Sequence, residues 1–145
     1  MAGETSKPPM MCVQRKLRIC AAHRMNNSTL TEADNIKLYG KCNNVHYHGH
    51  NYTIKVTLYG PVDPVTGFVM NCTDLKEIMK VAIEEPFDHK NINKQIEHFE
   101  SVVSTVENIV LFIWTEMKKN MAQPELFFEV RVRQTDNNMV YYRGE

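Results

Sequence analysis

The most regular hydrophobic pattern in the chain is the alternation of Tyr52, Ile54, Val56 and Leu58 with Thr53, Lys55, Thr57 and Tyr59. Successive side chains on a strand point to opposite faces, so this run predicts a strand buried on one side. A second alternation starts at Val13 and continues through Leu17, Ile19 and Ala21, set against Gln14, Lys16 and Arg18, with Arg15 as its exception. Extended two residues, its inward face reaches His23, and the two strands are expected to pair antiparallel. A third strand over 126–133 and a fourth over 139–142 flank the turn residues Asn137-Asn138. Between the pairs, Leu75, Ile78, Met79, Ala82 and Ile83 fall on one helical stripe, capped by Thr73 or Asp74 and closed by Pro86. Val106, Ile109, Val110, Ile113, Trp114 and Met117 form a second stripe, with Ser104 and Glu107 as a capping box. Thr31-Glu32-Ala33-Asp34 opens a short helix that Gly40 can end. The order is two strands, two helices, two strands. It predicts an α+β fold, a four-stranded antiparallel sheet with two helices on one face, whose open edges invite association with other copies.

Composition adds the boundaries. The chain has 145 residues, 43% of them hydrophobic, enough for one domain over 11–145 with a core that needs no disulfides. Residues 1–10, with Gly3, Ser6 and Pro8-Pro9, lack an apolar period and read as a disordered tail. Lys plus Arg and Asp plus Glu balance at 17 each, which removes the general electrostatic argument for nucleic acid or membrane as partner. Locally, Arg15-Lys16-Leu17-Arg18 stays basic, either as a solvated strand face or as an attractor of an anionic substrate. Cys12, Cys20, Cys42 and Cys72 show no CxxC spacing, and no apolar leader follows the amino terminus, so a reducing cytoplasm is the expected compartment.

The candidate chemistry centres on His46, His48 and His50. On a strand, His48 and His50 share a face, whereas residues four apart lie about 13 Å from one another, too far for His46 and His50 to hold one ion. The missing ligand must come from elsewhere; His23 is a candidate, and its other reading is an ordinary surface or core histidine at a strand end. Three neutral imidazoles with an open position form a catalytic type of zinc site. Cys42 reads either as a base activated near that cation or as a small hydrophobe, and Asp88-His89 either as an acid/base pair or as an ordinary polar loop.

Several separated motifs carry a family resemblance: Ala22-His23-Arg24, Gly40-Lys41-Cys42-Asn43-Asn44, His48-Gly49-His50-Asn51-Tyr52, Asp88-His89-Lys90-Asn91, Ser104-Thr105 with Glu107-Asn108, and Thr135-Asp136-Asn137-Asn138. In this order, from about residue 12 to residue 145, the chain resembles the 6-pyruvoyl-tetrahydropterin synthase family. The resemblance implies a tunnelling (T-fold) subunit that forms barrel trimers and hexamers. It further implies conversion of 7,8-dihydroneopterin triphosphate to 6-pyruvoyl-tetrahydropterin with loss of triphosphate, on the route to tetrahydrobiopterin. By position, His23, His48 and His50 would bind zinc, Cys42 would be the base, and Asp88 and His89 the proton relay. Thr105, Glu107 and Gln134 would face the pterin. Gln134 stands where the family carries a glutamate, and an amide has one acceptor oxygen where a carboxylate has two. That exchange leaves open a diverged paralogue with weaker pterin binding, a carboxytetrahydropterin-type relative, or a non-catalytic zinc-containing assembly protein.

Overall fold

The structure, a computed structural model, describes residues 6–145. The expected tail therefore lies half outside the described residues, and regular structure begins at Met10. Strand β1 (Met10–His23) leads to helix α1 (Glu32–Tyr39), a 3-10 turn (Gly40–Asn43) and β2 (His48–Pro61). Helix α2 (Cys72–Met79) runs through a π-helical turn (Lys80–Glu84) into α3 (Glu85–Phe87), followed by β3 (Lys90–Asn91) and α4 (Ile92–Gln95). Helix α5 (Val106–Asn120), β4 (Phe127–Arg133) and β5 (Met139–Tyr142) complete the chain.

Among the described residues the strands form one sheet in the order β3-β1-β2-β4-β5. The four expected strands are antiparallel to their neighbours, as the alternation predicts. The strand count needs correction: Lys90 and Asn91, expected within a loop, add a fifth strand, parallel to β1 beside Ala21 and Ala22. A two-residue strand is too short to leave a period in the sequence.

Inward positions of β1, β2 and β4 meet the apolar stripes of α2 and α5. Ile54, Val56, Leu58, Val130, Val132, Leu75, Met79, Ile83, Ile109, Ile113 and Met117 are all essentially inaccessible. Burial of this stripe, worth roughly 1.5–3 kcal/mol per large side chain, holds both helices on one sheet face. The helix starts differ by a residue or two from expectation. Asn71, rather than Thr73 or Asp74, caps α2 by accepting from the Thr73 amide. Thr105, rather than Ser104, caps α5 by accepting from the Asn108 amide. Pro86 does not close its helix. A proline has no N–H to donate to the carbonyl four residues back, and the backbone meets this by widening into the π turn just before it, then stays helical to Phe87. None of the helices among the described residues is long and apolar enough to cross a membrane.

Candidate functional site

Register builds the centre of the site. His23, the last residue of β1, stands opposite His48, the first of β2. Two residues on, His50 shares the face of His48, so three imidazoles converge where the two strands end. Their ring centroids lie 4.5, 5.3 and 4.9 Å apart for the pairs His23–His48, His23–His50 and His48–His50. One ligand nitrogen from each lies within 4.8 Å of the others, so the group could hold a metal ion.

The donors are prepared for one. His23 is fully buried, and its Nδ1 lies 2.8 Å from the Ser104 carbonyl oxygen. A carbonyl only accepts, so Nδ1 carries the proton and donates, which makes Nε2 the acceptor that faces the Gln134 amide in the absence of an ion. Both ring nitrogens of His48, and Nε2 of His50, are buried without a hydrogen-bond partner among the described residues. Such orphaned polar atoms are costly unless something pairs with them, and a cation takes the one lone pair that each neutral ring offers. Burial lowers the His23 pKa from 6.5 to about 4, against the raising effect of the Ser104 contact and with smaller repulsion from His48 and His50. Burial also lowers His48, and lowers His50 together with the neighbouring His48. All three are therefore neutral near pH 7, the form that binds a metal.

Gln134 enters from the third strand. It follows Arg133 at the end of β4, and the strand period puts it on the buried side with Val130 and Val132. Its Nε2 lies 3.3 Å from His23 Nε2. Next to it the Tyr52 hydroxyl is buried, and burial raises the Tyr52 pKa while the nearby Gln134 amide partly opposes that shift.

The other expected residues surround this centre without joining it. Cys42 sits in the 3-10 turn and is half-buried. Its carbonyl accepts from the Met25 amide at 2.9 Å, and Arg24 Nε donates to the Asn43 carbonyl at 2.7 Å, so the turn is stitched to the residues just after His23. Asp88 and His89 sit at the opposite edge of β1. Asp88 Oδ1 accepts from the Cys20 amide at 2.8 Å, and Oδ2 is 3.0 Å from His89 Nδ1. The Cys20 amide and, secondarily, His89 hold the Asp88 carboxyl below its ordinary value. His89 is held at a positive φ of 58° and leaves 83% of its side chain exposed. Among the described residues no hydrogen bond connects this dyad to Cys42 or to the histidines. Thr105 caps α5, and Glu107 is exposed in its first turn. His46 is exposed outside the cluster, as the distance argument requires.

Two residues have positioning roles that sequence spacing does not show. Ser104 looked like a cap and instead orients His23. Asn93 accepts from the Arg24 amide at 2.8 Å and donates to the Arg24 carbonyl at 3.1 Å and Ser104 Oγ at 3.2 Å, joining the end of β1 to the start of α5. Both lie in aperiodic segments, and only the fold reveals their partners.

Comparison with known proteins agrees with this layout. The family model for 6-pyruvoyl tetrahydropterin synthase matches residues 12–145. A 6-pyruvoyl tetrahydrobiopterin synthase from Homo sapiens is 46% identical over 92% of this chain and 91% of its own length. One from Poecilia reticulata is 44% identical over 100% of each chain. The solved structure of Caenorhabditis elegans 6-pyruvoyl tetrahydropterin synthase superposes with a TM-score of 0.93 at 36% identity, covering 96% of this chain and 99% of that one. A match of this extent in both sequence and fold means that the chain belongs to the 6-pyruvoyl tetrahydropterin synthase family.

Proposed function

We propose that this chain is a zinc-dependent lyase that converts 7,8-dihydroneopterin triphosphate to 6-pyruvoyl-tetrahydropterin and releases triphosphate, in tetrahydrobiopterin biosynthesis. The observation that carries the reading is the group His23, His48 and His50, with ligand atoms within 4.8 Å and orphaned nitrogens. A zinc ion held there supplies Lewis acidity, making the carbons that bear the substrate's side-chain hydroxyls more acidic. Ser104 and Asn93 keep His23 in the tautomer such a site needs. Cys42 is the base that accepts the proton. His89, aligned by Asp88, returns a proton to the side chain, so the change is an internal redox tautomerisation with elimination and uses no external electron carrier. Thr105, Glu107 and Gln134 line the pterin side of the pocket. The subunit works as a cytoplasmic T-fold trimer or hexamer, with residues 11–145 as its single domain. The test is triphosphate release from dihydroneopterin triphosphate by the zinc-loaded protein. Absence of release from folded, metal-loaded oligomer rejects the reading.

One observation favours a second reading. Gln134, where the family carries a glutamate, turns its amide toward His23. A diverged member with weakened pterin binding would carry this substitution, as would a relative with a carboxytetrahydropterin-type product, and the mass of the product separates that relative from the lyase.

A further inference from the structure

The hydrogen bonds around His23 hold one donor too many for a metal site. With Nδ1 donating to the Ser104 carbonyl, His23 Nε2 has a single lone pair, and the Gln134 amide nitrogen lies 3.3 Å from it. Only that end of the amide suits the ring, because the oxygen would set its own lone pairs against the lone pair of Nε2. Yet Nε2 is also the atom that His23 has to offer an ion shared with His48 and His50. One lone pair cannot serve both, so the amide donor and a cation exclude one another at this nitrogen. Beside them stands Tyr52, two residues beyond His50 on the same inward face of β2 and 1% exposed. Its ring centroid lies 5.6 Å from that of His50 and 6.4 Å from that of His23. The Tyr52 hydroxyl is buried without a hydrogen-bond partner among the described residues, although the Gln134 amide is near enough to influence it. A phenol offers one donor and two acceptor lone pairs, and burying them unpaired is costly. A donor seated on a ligand nitrogen and an unpaired acceptor thus stand side by side.

We propose that Gln134 is a metal-responsive positioning residue with two resting places: its N–H sits on His23 Nε2 in the metal-free protein and on the Tyr52 oxygen when Nε2 is bound to an ion. The exchange needs side-chain rotation only, since the Gln134 backbone stays held at the end of β4, its N–H donating to the Asn138 carbonyl at 3.3 Å. It replaces one hydrogen bond with another and gives the buried Tyr52 hydroxyl a partner, so Tyr52 favours metal binding without touching the ion. The rotation also re-aims Gln134 Oε1, the acceptor that the proposed reaction offers to the pterin, and metal occupancy thereby sets the substrate pocket. This coupling belongs to an amide, because an ionised carboxylate has no N–H to place on His23. The inference rests on the reading of the three histidines as a metal site.

The test measures zinc affinity of the full-length protein by competition with a chromophoric chelator. The unaltered protein should bind zinc saturably; absence of binding rejects the metal reading and this proposal with it. Gln134→Leu removes the competing donor and should tighten zinc binding by about three- to tenfold. Tyr52→Phe removes the second resting place and should weaken zinc binding by about threefold. Added to Gln134→Leu, Tyr52→Phe should change zinc affinity by less than about twofold, because Tyr52 acts through Gln134. Melting temperatures give a readout that a merely structural tyrosine would not reproduce. In the metal-free protein Tyr52→Phe deletes an unpaired hydroxyl and should leave the midpoint unchanged or raise it, whereas in the zinc-loaded protein it deletes a partner of Gln134 and should lower the midpoint. Unchanged or weaker zinc binding by Gln134→Leu, or an equal loss from Tyr52→Phe in both backgrounds, overturns the proposal. With zinc binding by the unaltered protein intact, those results leave the metal reading standing.

Discussion

His23 shows how one residue ties protonation to stability. Its pKa falls from 6.5 to about 4 on folding, so between those values the unfolded chain binds the proton and the folded chain does not. Stability is then complete above about pH 6.5 and declines as the pH drops toward 4. The limit of that loss is on the order of 3 kcal/mol, from roughly 1.4 kcal/mol per pKa unit. His48 and His50 act in the same direction. Asp88, also lowered, contributes stability that is lost only at more acid pH, as it protonates below its ordinary value of 3.8. Urea denaturation of the chelator-treated protein at pH 7 and near pH 4.5 should show the decline, and His23→Asn should flatten it. An unchanged slope in His23→Asn would show that His23 does not govern it. Gln134 calls for a different measurement. Gln134→Glu supplies the charged acceptor that the resemblance places here, and a charge-assisted bond of roughly 1.5–3 kcal/mol should tighten dihydroneopterin binding by about ten- to a hundredfold. Calorimetric titration that finds equal affinity in both forms removes the case for divergence at this position.

At the level of elements, the start of α5 serves two purposes with adjacent residues. Thr105 caps the helix, and Ser104 is left free to meet His23. Thr105→Ala should therefore cost about 1 kcal/mol of stability, seen as a lower urea midpoint, while zinc affinity of the refolded protein stays within about twofold. A large loss of zinc affinity would mean that cap and metal centre are not separable. The same pair shows what was legible beforehand. Ser104 and Thr105 both suit a cap, and a tertiary contact 81 residues distant in sequence selects between them. The long strands were legible because one buried face imposes a period of two, and the histidine group followed from that period. The π turn and β3 were not, since a backbone widening before Pro86 and a two-residue pairing leave no periodic trace. The role of Asn93 lies in contacts with Arg24 and Ser104 that sequence spacing does not encode.

Over the whole molecule, the proposed chemistry is divided between places that one chain does not unite. The three histidines close the inner ends of β1 and β2, the Cys42 turn is stitched beside them, and Asp88-His89 sits at the β3 edge with His89 largely exposed. Exposed edges of this sheet are natural sites of association, and symmetric assembly would bring the dyad of one copy to the histidines and cysteine of another. Complementation tests that arrangement. Cys42→Ala and His89→Ala proteins should each be inactive alone and sediment as oligomers. Unfolded together and refolded as mixed oligomers, they should recover about a quarter of the unaltered activity if each site draws the two residues from different copies chosen at random. If both residues of a site came from one chain, every site in the mixture would lack one of them. Mixed oligomers of normal size without recovered activity would therefore place the complete catalytic set within a single subunit, and the exposed dyad would have to reach the metal centre by a rearrangement of its own loop.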